Sequence, residues 1–356
     1  MSGLLAYCRA GYENDTANEL STLTAEQQVF GYPESVPGQG YVMFHLYDEA
    51  QAGTVAKWPV SDTIFSRQLV VVLTTLNNLD RQDRITPVVE ALQDIAPADK
   101  AGDVVVEYPD TEAGKALAKF CRKFVVPLRQ SLRKAGLLTT KPDEKRRRLH
   151  VFFSDFDTCI VGYSHPRCAS PFPMGICRLK FPSDAPSRST LKLEEALLTM
   201  LDDDSRARVC RAGARAVDLG ACPGGWTYQL VQRGMFVEAV DNGAIDDALM
   251  QTGQVAHFSH DGFTYRPQQG HVDLLVCDMI EQPDRVATLM GDWLCKRWTE
   301  HAIFNLKLPM KRRYETVTTA LTTLTQRLSA LSDVFTVSAR HLYHDRDEVT
   351  VCVIRR

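Results

Sequence analysis

The segment from Val217 to Leu230 (VDLGACPGGWTYQL) contains the residue types of a ligand-binding turn. An apolar run up to Leu219 predicts a buried strand, and the spacing of Trp226 and Leu230 after the glycines predicts a helix. Adjacent glycines let the backbone turn sharply and approach a ligand closely, because they have no Cβ. The start of the helix then presents unpaired N–H groups to a carboxylate or a phosphate. We therefore interpret the segment as a ligand site rather than an ordinary strand-to-helix connection.

Polar side chains also follow the ends of later predicted strands, at Asp241, Asp261, Asp278 and Lys307. Open α/β sheets bind their ligands at this carboxyl edge. Asp241 comes 21 residues after Gly220, about where a nucleotide-binding fold places an acid on ribose hydroxyls. Asp261 is placed to accept a hydrogen bond from an exocyclic adenine amine. These positions predict a site for a nucleoside-containing cofactor.

The elements that position these residues alternate between strand and helix from residue 187 onward, which is typical of a parallel sheet covered on both faces. A helix is predicted from N-cap candidates at 187–190 to about Leu201. The predicted strands after the turn are Phe236–Val240, Val255–Phe258, Val272–Cys277, Ala302–Leu306, Val334–His341 and Glu348–Ile354, of which the last two form a hairpin.

The N-terminal half is also predicted to mix strands and helices. The predicted strands are Gly3–Cys8, Gly40–Tyr47, Ile64–Val72, Asp103–Tyr108, Leu149–Phe153 and Thr158–Tyr163, and the predicted helices include Glu13–Leu23 and Pro87–Ile95. Thr86 is a candidate N-cap of the latter helix, with Pro87 at its first position. A further amphipathic stretch is expected to form two short helices, because Pro127 interrupts it, and to end at Gly136.

This amphipathic stretch lies in a basic block, residues 115–148, which holds twelve lysines and arginines and only two acidic residues. The chain as a whole carries a formal net charge of −3. Such a local excess of one sign fits a polyanionic partner better than an ordinary solvated helix face, where charges are usually mixed. We expect Lys119, Arg122 and Lys123 to contact the phosphates of such a partner.

Composition limits the class of protein. A length of 356 residues favours two domains, and 44% hydrophobic with 24% charged residues is typical of a soluble globular protein. Apolar runs such as Leu69–Leu73 fall far short of the roughly 20 residues that span a bilayer, and no signal peptide is evident. Ten cysteines without a Cys-x-x-Cys pair predict neither a disulfide framework nor a metal site, and they favour a reducing cytoplasm.

Several motifs of the C-terminal half match a known family in order: SRSTLKLEEA, DLGACPGGW, VCDM, FNLKLP and DEVTV. They resemble the motifs of ribose 2′-O-methyltransferases of the FtsJ type. The N-terminal pattern, with CRKFVVPLRQSLRKAG as its basic helix, resembles the THUMP RNA-binding domain. Together they are similar to enzymes that methylate a cytidine ribose in 23S ribosomal RNA, either as naked RNA or in an early assembly particle.

The resemblance implies a Rossmann-like methyltransferase domain at residues 187–356, an α/β THUMP-like RNA-binding region at 1–163, and a Pro- and Ser-rich linker at 164–186. It implies S-adenosylmethionine as the cofactor and a monomer as the expected state. A Lys-Asp-Lys-Glu tetrad of the family falls on Lys192, Asp278, Lys307 and Glu348. The cofactor-binding residues are expected to be Ser189, Cys222, Pro223, Gly224, Gly225, Asp241, Asp261 and Asp278.

A ribose hydroxyl is a poor nucleophile, so methyl transfer requires alignment and help in removing a proton. By analogy with the family, Lys307 is expected to accept that proton, which requires its pKa to fall well below about 10.4. Burial and the neighbouring Lys192 lower this pKa, whereas Asp278 and Glu348 oppose the shift. A second division of labour stays open, in which Lys307 stabilises the developing alkoxide and Asp278 takes the proton.

Three other functions are alternatives to this one. A base N-methyltransferase would require an Asn/Asp-Pro-Pro-aromatic motif in place of residues 278–281, and a nicotinamide dehydrogenase would require Gly-x-Gly-x-x-Gly in place of residues 220–225. A non-catalytic RNA-binding assembly factor would not need two lysines in a pocket. Cys277 is expected to be a core residue, and His341 with His344 a hairpin rim rather than a metal site.

Overall fold

The computed structural model describes residues 3–95 and 99–356. It divides into two units, Met1–Ile176 and Cys177–Arg356. Each unit is built around one seven-stranded sheet. The break between the units falls within the Pro- and Ser-rich stretch 164–186, which contains one short 3₁₀ turn, Pro173–Gly175.

The sheet of the first unit is mixed, and its strand order is β2-β3-β1-β4-β7-β6-β5. Only β5 and β6 pair in parallel, while the other neighbours are antiparallel. The strands are β1 Gly3–Tyr7, β2 Gly31–Glu34, β3 Tyr41–Leu46, β4 Gln68–Leu76, β5 Asp103–Glu107, β6 Arg148–Asp155 and β7 Thr158–Ser164.

Four helices accompany this sheet: α1 Glu13–Glu26, α2 Ala52–Val55, α3 Ile85–Ile95 and α4 Ala118–Lys134. Leu20 of α1 packs with β1 and β3 in one apolar cluster. Residues of α3 and α4, among them Leu92, Leu128 and Leu132, pack in another cluster with β5 to β7. The prediction of an α/β N-terminal region is confirmed.

Two local predictions in this unit are wrong. α4 is one continuous helix with Pro127 inside it, because Phe124, Leu128 and Leu132 on both sides of the proline are buried in the same core. Thr86 is not an N-cap: α3 begins at Ile85, and the carboxylate of Asp83 accepts the N–H groups of Ile85 and Thr86, both at 3.0 Å.

The strand predicted at residues 64–72 begins four residues later, at Gln68. The backbone N–H groups of Ile64, Phe65 and Ser66 all donate to the buried carboxylate of Glu19 on α1. Amides that bond to a side chain are not available to a neighbouring strand, so regular pairing starts only beyond them.

The sheet of the second unit has the order β10-β9-β8-β11-β12-β14-β13. Its first five strands are parallel, and β14 pairs antiparallel with both β12 and β13. The strands are β8 Arg215–Leu219, β9 Phe236–Val240, β10 Val255–Phe258, β11 Val272–Cys277, β12 Thr299–Lys307, β13 Phe335–Arg340 and β14 Glu348–Arg355. The predicted parallel sheet closed by a hairpin is confirmed.

Helices alternate with these strands: α5 Thr190–Thr199, α6 Asp203–Val209, α7 Gly225–Val231, α8 Asp247–Gln251, α9 Pro283–Cys295 and α10 Arg313–Leu328. The core is apolar on both sides of the sheet, with Leu230, Met290 and Leu324 fully buried. The parallel arrangement brings the carboxyl ends of β8 to β12 to one edge of the sheet, where the predicted polar residues lie.

Within residues 3–95 and 99–356, no helix is both long enough and apolar enough to span a membrane. The same residues contain no group of three His, Cys, Asp or Glu side chains arranged to hold a metal ion.

Candidate active site

Lys192, Asp278, Lys307 and Glu348 meet at one point of the second unit. Lys307 Nζ lies 2.6 Å from Asp278 Oδ1 and 2.9 Å from Glu348 Oε2. Lys192 Nζ lies 3.1 Å from Asp278 Oδ2 and also contacts Glu348 Oε1. Each lysine therefore bridges both carboxylates, and each carboxylate presents one oxygen to each lysine.

Four separate elements bring these side chains together. Lys192 lies in the first turn of α5, Asp278 follows β11, Lys307 ends β12 and Glu348 begins β14. The helix α5 is held in place by Glu195, whose buried carboxylate accepts the N–H groups of Tyr343 and His344 at 2.9 and 2.8 Å. Glu195 lies one turn after Lys192, so this contact anchors the end of the helix that carries the lysine.

The charges of the tetrad determine its protonation. Burial alone would lower the pKa of Lys307, but the neighbouring charges of Asp278 and Glu348, together with their hydrogen bonds, raise this pKa above its usual value. For Glu348, burial raises the pKa, but the two lysines outweigh burial and lower it overall. Both shifts favour the charged forms, and for Lys307 the cause is the two carboxylates within 3 Å that stabilise its ammonium form.

Buried residues that sequence reasoning missed form hydrogen bonds that lead to the tetrad. Asn305, fully buried on β12, donates from Nδ2 to Asp278 Oδ1 at 2.9 Å. Thr350 of β14 contacts Asn305 Oδ1 through its hydroxyl at 2.8 Å, and it also lies 3.0 Å from Asp345 Oδ2. Asn305 and Lys307 are two residues apart on one strand and share a face, which is the one sequence signal that could have found Asn305.

The glycine turn connects β8 to α7 as predicted. Gly220 has a φ of +79°, and a Cβ there would lie 2.8 Å from Met279 Cγ. Gly224 has a φ of +117°, a conformation that favours glycine. A Cβ on Gly225 would collide with Ser189 Oγ, so the turn lies against Ser189 at the start of α5. The structure thus places Ser189, the turn and Asp278 at the same edge of the sheet.

Asp241 and Asp261 occupy the loops that follow β9 and β10. The carboxylate of Asp241 accepts the N–H of Cys222 at 3.1 Å and that of Gly243 at 2.7 Å, so it links the glycine turn to its own loop. The carboxylate of Asp261 accepts the N–H of Phe263 at 2.9 Å. Asp241 therefore has a structural contact with the turn as well as its predicted role toward ribose.

Asp218, at the end of β8, is another residue that sequence reasoning missed. Burial is the main cause that raises the pKa of this carboxyl to about 7, and the charges of Asp278 and Asp241 add to it. Its Oδ2 accepts a hydrogen bond from Thr227 Oγ1 at 2.7 Å. The interpretation of Cys277 as a core residue is confirmed, since it is fully buried and burial raises its pKa to about 12.

The basic block divides into two kinds of residue. Arg129 pairs with Asp103, Arg146 with Asp143, and Arg133 donates to the carbonyl of Thr139, so these three stabilise the first unit itself. Lys119, Arg122 and Lys123 project from α4 as exposed side chains. Their exposure leaves them available for an external anion.

Comparison with known proteins identifies the C-terminal unit first. The family model of FtsJ-like methyltransferases matches residues 185–317, a range that includes Lys192, Asp278 and Lys307. The second unit is therefore an FtsJ-like methyltransferase domain, with a Rossmann-like α/β fold. Glu348 lies beyond the matched range and joins the site through the strand pairing of β14 with β12.

The N-terminal unit matches two further models. A ferredoxin-like domain of ribosomal RNA large subunit methyltransferase M matches residues 1–70, and the N-terminal domain of the same enzyme matches residues 83–165. The N-terminal domain that the sequence predicts is thus present, and its models are described as a ferredoxin-like domain and as the N-terminal domain of this enzyme rather than as THUMP.

Two curated relatives cover nearly the full chain. Ribosomal RNA large subunit methyltransferase M of Alteromonas mediterranea is 62% identical over 99% of this chain and 98% of its own length. The enzyme of the same name from Erwinia tasmaniensis is 51% identical over 100% of this chain and 97% of its own length. Among solved structures, fibrillarin of Aeropyrum pernix shares 13% identity over 57% of this chain and 81% of that one, with a TM-score of 0.33.

The chain belongs to the ribosomal RNA large subunit methyltransferase M family. It is an enzyme that methylates ribosomal RNA, and the predicted cofactor, S-adenosylmethionine, is confirmed by its methyltransferase domain. This outcome favours the enzymatic interpretation over a non-catalytic assembly factor.

Proposed function

We propose that the second unit transfers a methyl group from S-adenosylmethionine to the 2′-hydroxyl of a cytidine ribose in large-subunit ribosomal RNA. The observation that carries this proposal is the double bridge, in which Lys192 and Lys307 each contact both Asp278 and Glu348. A preorganised group of two cations and two anions can bind a hydroxyl oxygen and receive its proton without further reorganisation. The choice of cytidine rests on the resemblance to the family.

The cofactor supplies a methyl group made electrophilic by a sulfonium. We assign its binding to residues at the carboxyl edge of the sheet: Ser189, Cys222, Pro223, Gly224, Gly225, Asp241, Asp261 and Asp278. Two features fit this cofactor. The glycine turn lets a ligand approach the backbone closely, and the carboxylates of Asp241 and Asp261 follow neighbouring strands. Asp241 is the candidate for the ribose hydroxyls and Asp261 for the adenine amine.

The charges support the second division of labour between the tetrad residues. Lys307 is held as an ammonium, so it donates to the 2′-oxygen and steadies that oxygen in line with the methyl group. When the new C–O bond forms, the hydroxyl proton becomes strongly acidic, and a carboxylate is then a sufficient acceptor. Asp278 Oδ2, which has Lys192 at 3.1 Å, is the oxygen we assign to this proton.

The first unit is proposed to bind the RNA around the target nucleotide. Lys119, Arg122 and Lys123 are exposed on one helix and can neutralise phosphates, which positions RNA without reading its sequence. We propose that the substrate is naked ribosomal RNA or an early assembly particle, that the enzyme acts as a monomer, and that it works in the cytoplasm. The ten cysteines, all free thiols, fit a reducing compartment.

The test is product analysis. The protein is incubated with methyl-labelled S-adenosylmethionine and ribosomal RNA from cells that lack it, and the RNA is digested to nucleosides. We expect the label in 2′-O-methylcytidine. Alkaline hydrolysis of a second sample should leave the label in a dinucleotide, because the blocked 2′-oxygen cannot assist cleavage. Label on a base would overturn the proposed reaction. Label on the ribose of another nucleoside would overturn the proposed target. Lys307→Ala is the control for a contaminating activity.

A further inference from the structure

A chain of buried polar side chains runs from the β13–β14 hairpin to the tetrad. Asp345, Thr350 and Asn305 are each fully buried. Leu342 N donates to Asp345 Oδ2 at 3.0 Å, Thr350 Oγ1 lies 3.0 Å from that same oxygen, and Asn305 connects Thr350 to Asp278. A buried polar group costs free energy unless it is hydrogen-bonded, and these contacts provide the three side chains with partners.

The number of protons available on each group determines which group donates in each of these hydrogen bonds. Asp278 is an acceptor, so Asn305 must turn its amide nitrogen toward it and its Oδ1 toward Thr350. That oxygen only accepts, so the single hydroxyl proton of Thr350 is donated to Asn305. The remaining contact, between Thr350 Oγ1 and Asp345, then needs a proton from Asp345.

The surroundings of Asp345 are consistent with a protonated carboxyl. Burial first, and then the charge of Glu348, raises the pKa of Asp345 well above its usual value. Three hydrogen bonds therefore point the same way, from Asp345 to Thr350, from Thr350 to Asn305, and from Asn305 to Asp278. Bonds aligned in this manner polarise one another and strengthen the last one.

We infer that Asn305, Thr350 and Asp345 are positioning residues, which fix the carboxylate of Asp278 so that its two oxygens meet Lys307 and Lys192. Asp278 follows β11 in a loop, and its other side-chain contacts are with the flexible side chains of Lys192 and Lys307. Asn305 lies on a central strand, so it supplies a rigid support. This inference rests on the proposed role of the tetrad.

The main test compares Thr350→Val with Thr350→Ser. Valine keeps the shape of threonine and removes the hydroxyl, so Asn305 loses its donor and Asp278 loses its fixed orientation. We expect kcat to fall about tenfold, the loss expected for one hydrogen bond to an active-site group, with KM for RNA and cofactor nearly unchanged. Serine retains the hydroxyl and is expected to restore kcat to within about twofold of the unmodified enzyme.

Thr299→Val is the matched control. Thr299 is also buried in the second unit, on β12, and its hydroxyl donates to the carbonyl of His301 at 2.8 Å, away from the tetrad. A purely structural role predicts that both valine variants lose thermal stability and that kcat, measured well below Tm, is normal in both. The positioning role predicts a loss of kcat in Thr350→Val alone.

The outcomes separate this inference from the proposed function. Normal kcat in Thr350→Val, or an equal loss in Thr350→Ser, overturns the positioning role while Lys307→Ala stays inactive. If Thr350→Val does not fold, Asn305→Ala replaces it and is expected to lose kcat in the same way. A fully active Lys307→Ala enzyme would instead overturn the assigned tetrad, whatever the Thr350 variants show.

Discussion

Lys307 and Glu348 are directly opposite each other on the antiparallel strands β12 and β14, and their side chains meet with Nζ 2.9 Å from Oε2. Asn305 and Thr350 are opposite each other in the same register, two residues further along. A slip of β14 by one residue would turn Glu348 and Thr350 to the other face of the sheet, away from Lys307 and Asn305. The strand pairing therefore builds both the tetrad and its support.

This pairing predicts the effect of Glu348→Gln on the pH profile. Glu348 is one of two carboxylates that raise the pKa of Lys307, so its neutralisation lowers that pKa. If Lys307 acts as an ammonium, kcat is lost as pH rises through this pKa, and Glu348→Gln moves the alkaline limb to lower pH. Initial rates measured across pH 6 to about 10.5 check this expectation. A rate that rises with pH, with the rising limb moved to lower pH in the variant, would instead identify Lys307 as the base.

Substitution of Lys307 itself should abolish turnover and spare the cofactor. Lys307→Ala removes the group that holds the 2′-oxygen and is expected to lower kcat by about 10²–10⁴ while cofactor affinity changes little. Lys307→Arg keeps a positive charge that cannot be lost. Single-turnover rates distinguish the roles: arginine activity clearly above that of alanine supports charge stabilisation, and arginine activity equal to that of alanine supports proton acceptance.

Asp241→Ala should weaken cofactor binding by about one to two orders of magnitude. One charge-assisted hydrogen bond contributes roughly 1.5–3 kcal/mol. Asp241 also holds the N–H groups of Cys222 and Gly243, so Asp241→Asn is the matched variant that keeps an acceptor for the turn but loses the charge. Calorimetry with S-adenosylmethionine should give the highest affinity for the unmodified enzyme, a lower one for Asp241→Asn and the lowest for Asp241→Ala. Unchanged affinity in the alanine variant would remove Asp241 from the site.

Asp218→Asn should stabilise the enzyme in a pH-dependent way. The folded carboxyl has a pKa of about 7 and the unfolded one about 3.8, so the folded state binds more protons between these values. Stability from this group therefore falls as pH rises from about 4 to 7 and is then constant. Asparagine mimics the protonated form, and the expected gain, on the order of 1–3 kcal/mol, is larger at pH 8 than at pH 5. Thermal unfolding of both proteins without cofactor measures it; an equal Tm difference at both pH values would contradict the shift.

The parallel part of the second sheet could be predicted closely from sequence, because each of its strands carries a local signal. Strands 236–240, 255–258 and 272–277 are apolar runs that end at a polar residue, and the structure has the same bounds. Pro127 shows the limit of local signals: a proline predicts a break, but burial of one apolar stripe on both sides keeps the helix whole. The sequence of a segment does not show whether tertiary packing will outweigh its local preference, here the preference of proline to end a helix.

The site shows the same contrast. The loop residues at the sheet edge follow from strand order and the glycine turn, both of which are local in sequence. Asn305, Thr350 and Asp345 were missed because their meeting depends on the register of β12 against β14, and Glu19 was missed because its partners are 45 or more residues away. Long-range register has no signature in either strand alone: the spacing of Asn305 and Lys307 places them on one face, but their partners on β14 follow only from the folded structure.

The last prediction concerns the exposed part of the basic block. If Lys119, Arg122 and Lys123 hold RNA phosphates, replacing all three with glutamine should weaken RNA binding and reduce its dependence on salt. The salt slope should change by about 0.7–0.9 for each phosphate that the variant no longer neutralises. Replacing Lys57, Arg81 and Arg208, exposed residues outside the block, is the matched control for net charge. Titrations of one ribosomal RNA fragment at two ionic strengths provide the comparison.

Cofactor affinity and the identity of the methylated nucleotide should both persist in the triple variant, because phosphate contacts position RNA and do not specify a base. The effect should therefore appear in KM for RNA rather than in kcat. The alternative is that these charges only keep the outer face of α4 in water, while its buried Phe124 and Leu128 hold the helix in the fold. In that case RNA affinity will be unchanged at every salt concentration. Parallel salt slopes for the triple variant and the unmodified enzyme would remove this helix from the RNA interface.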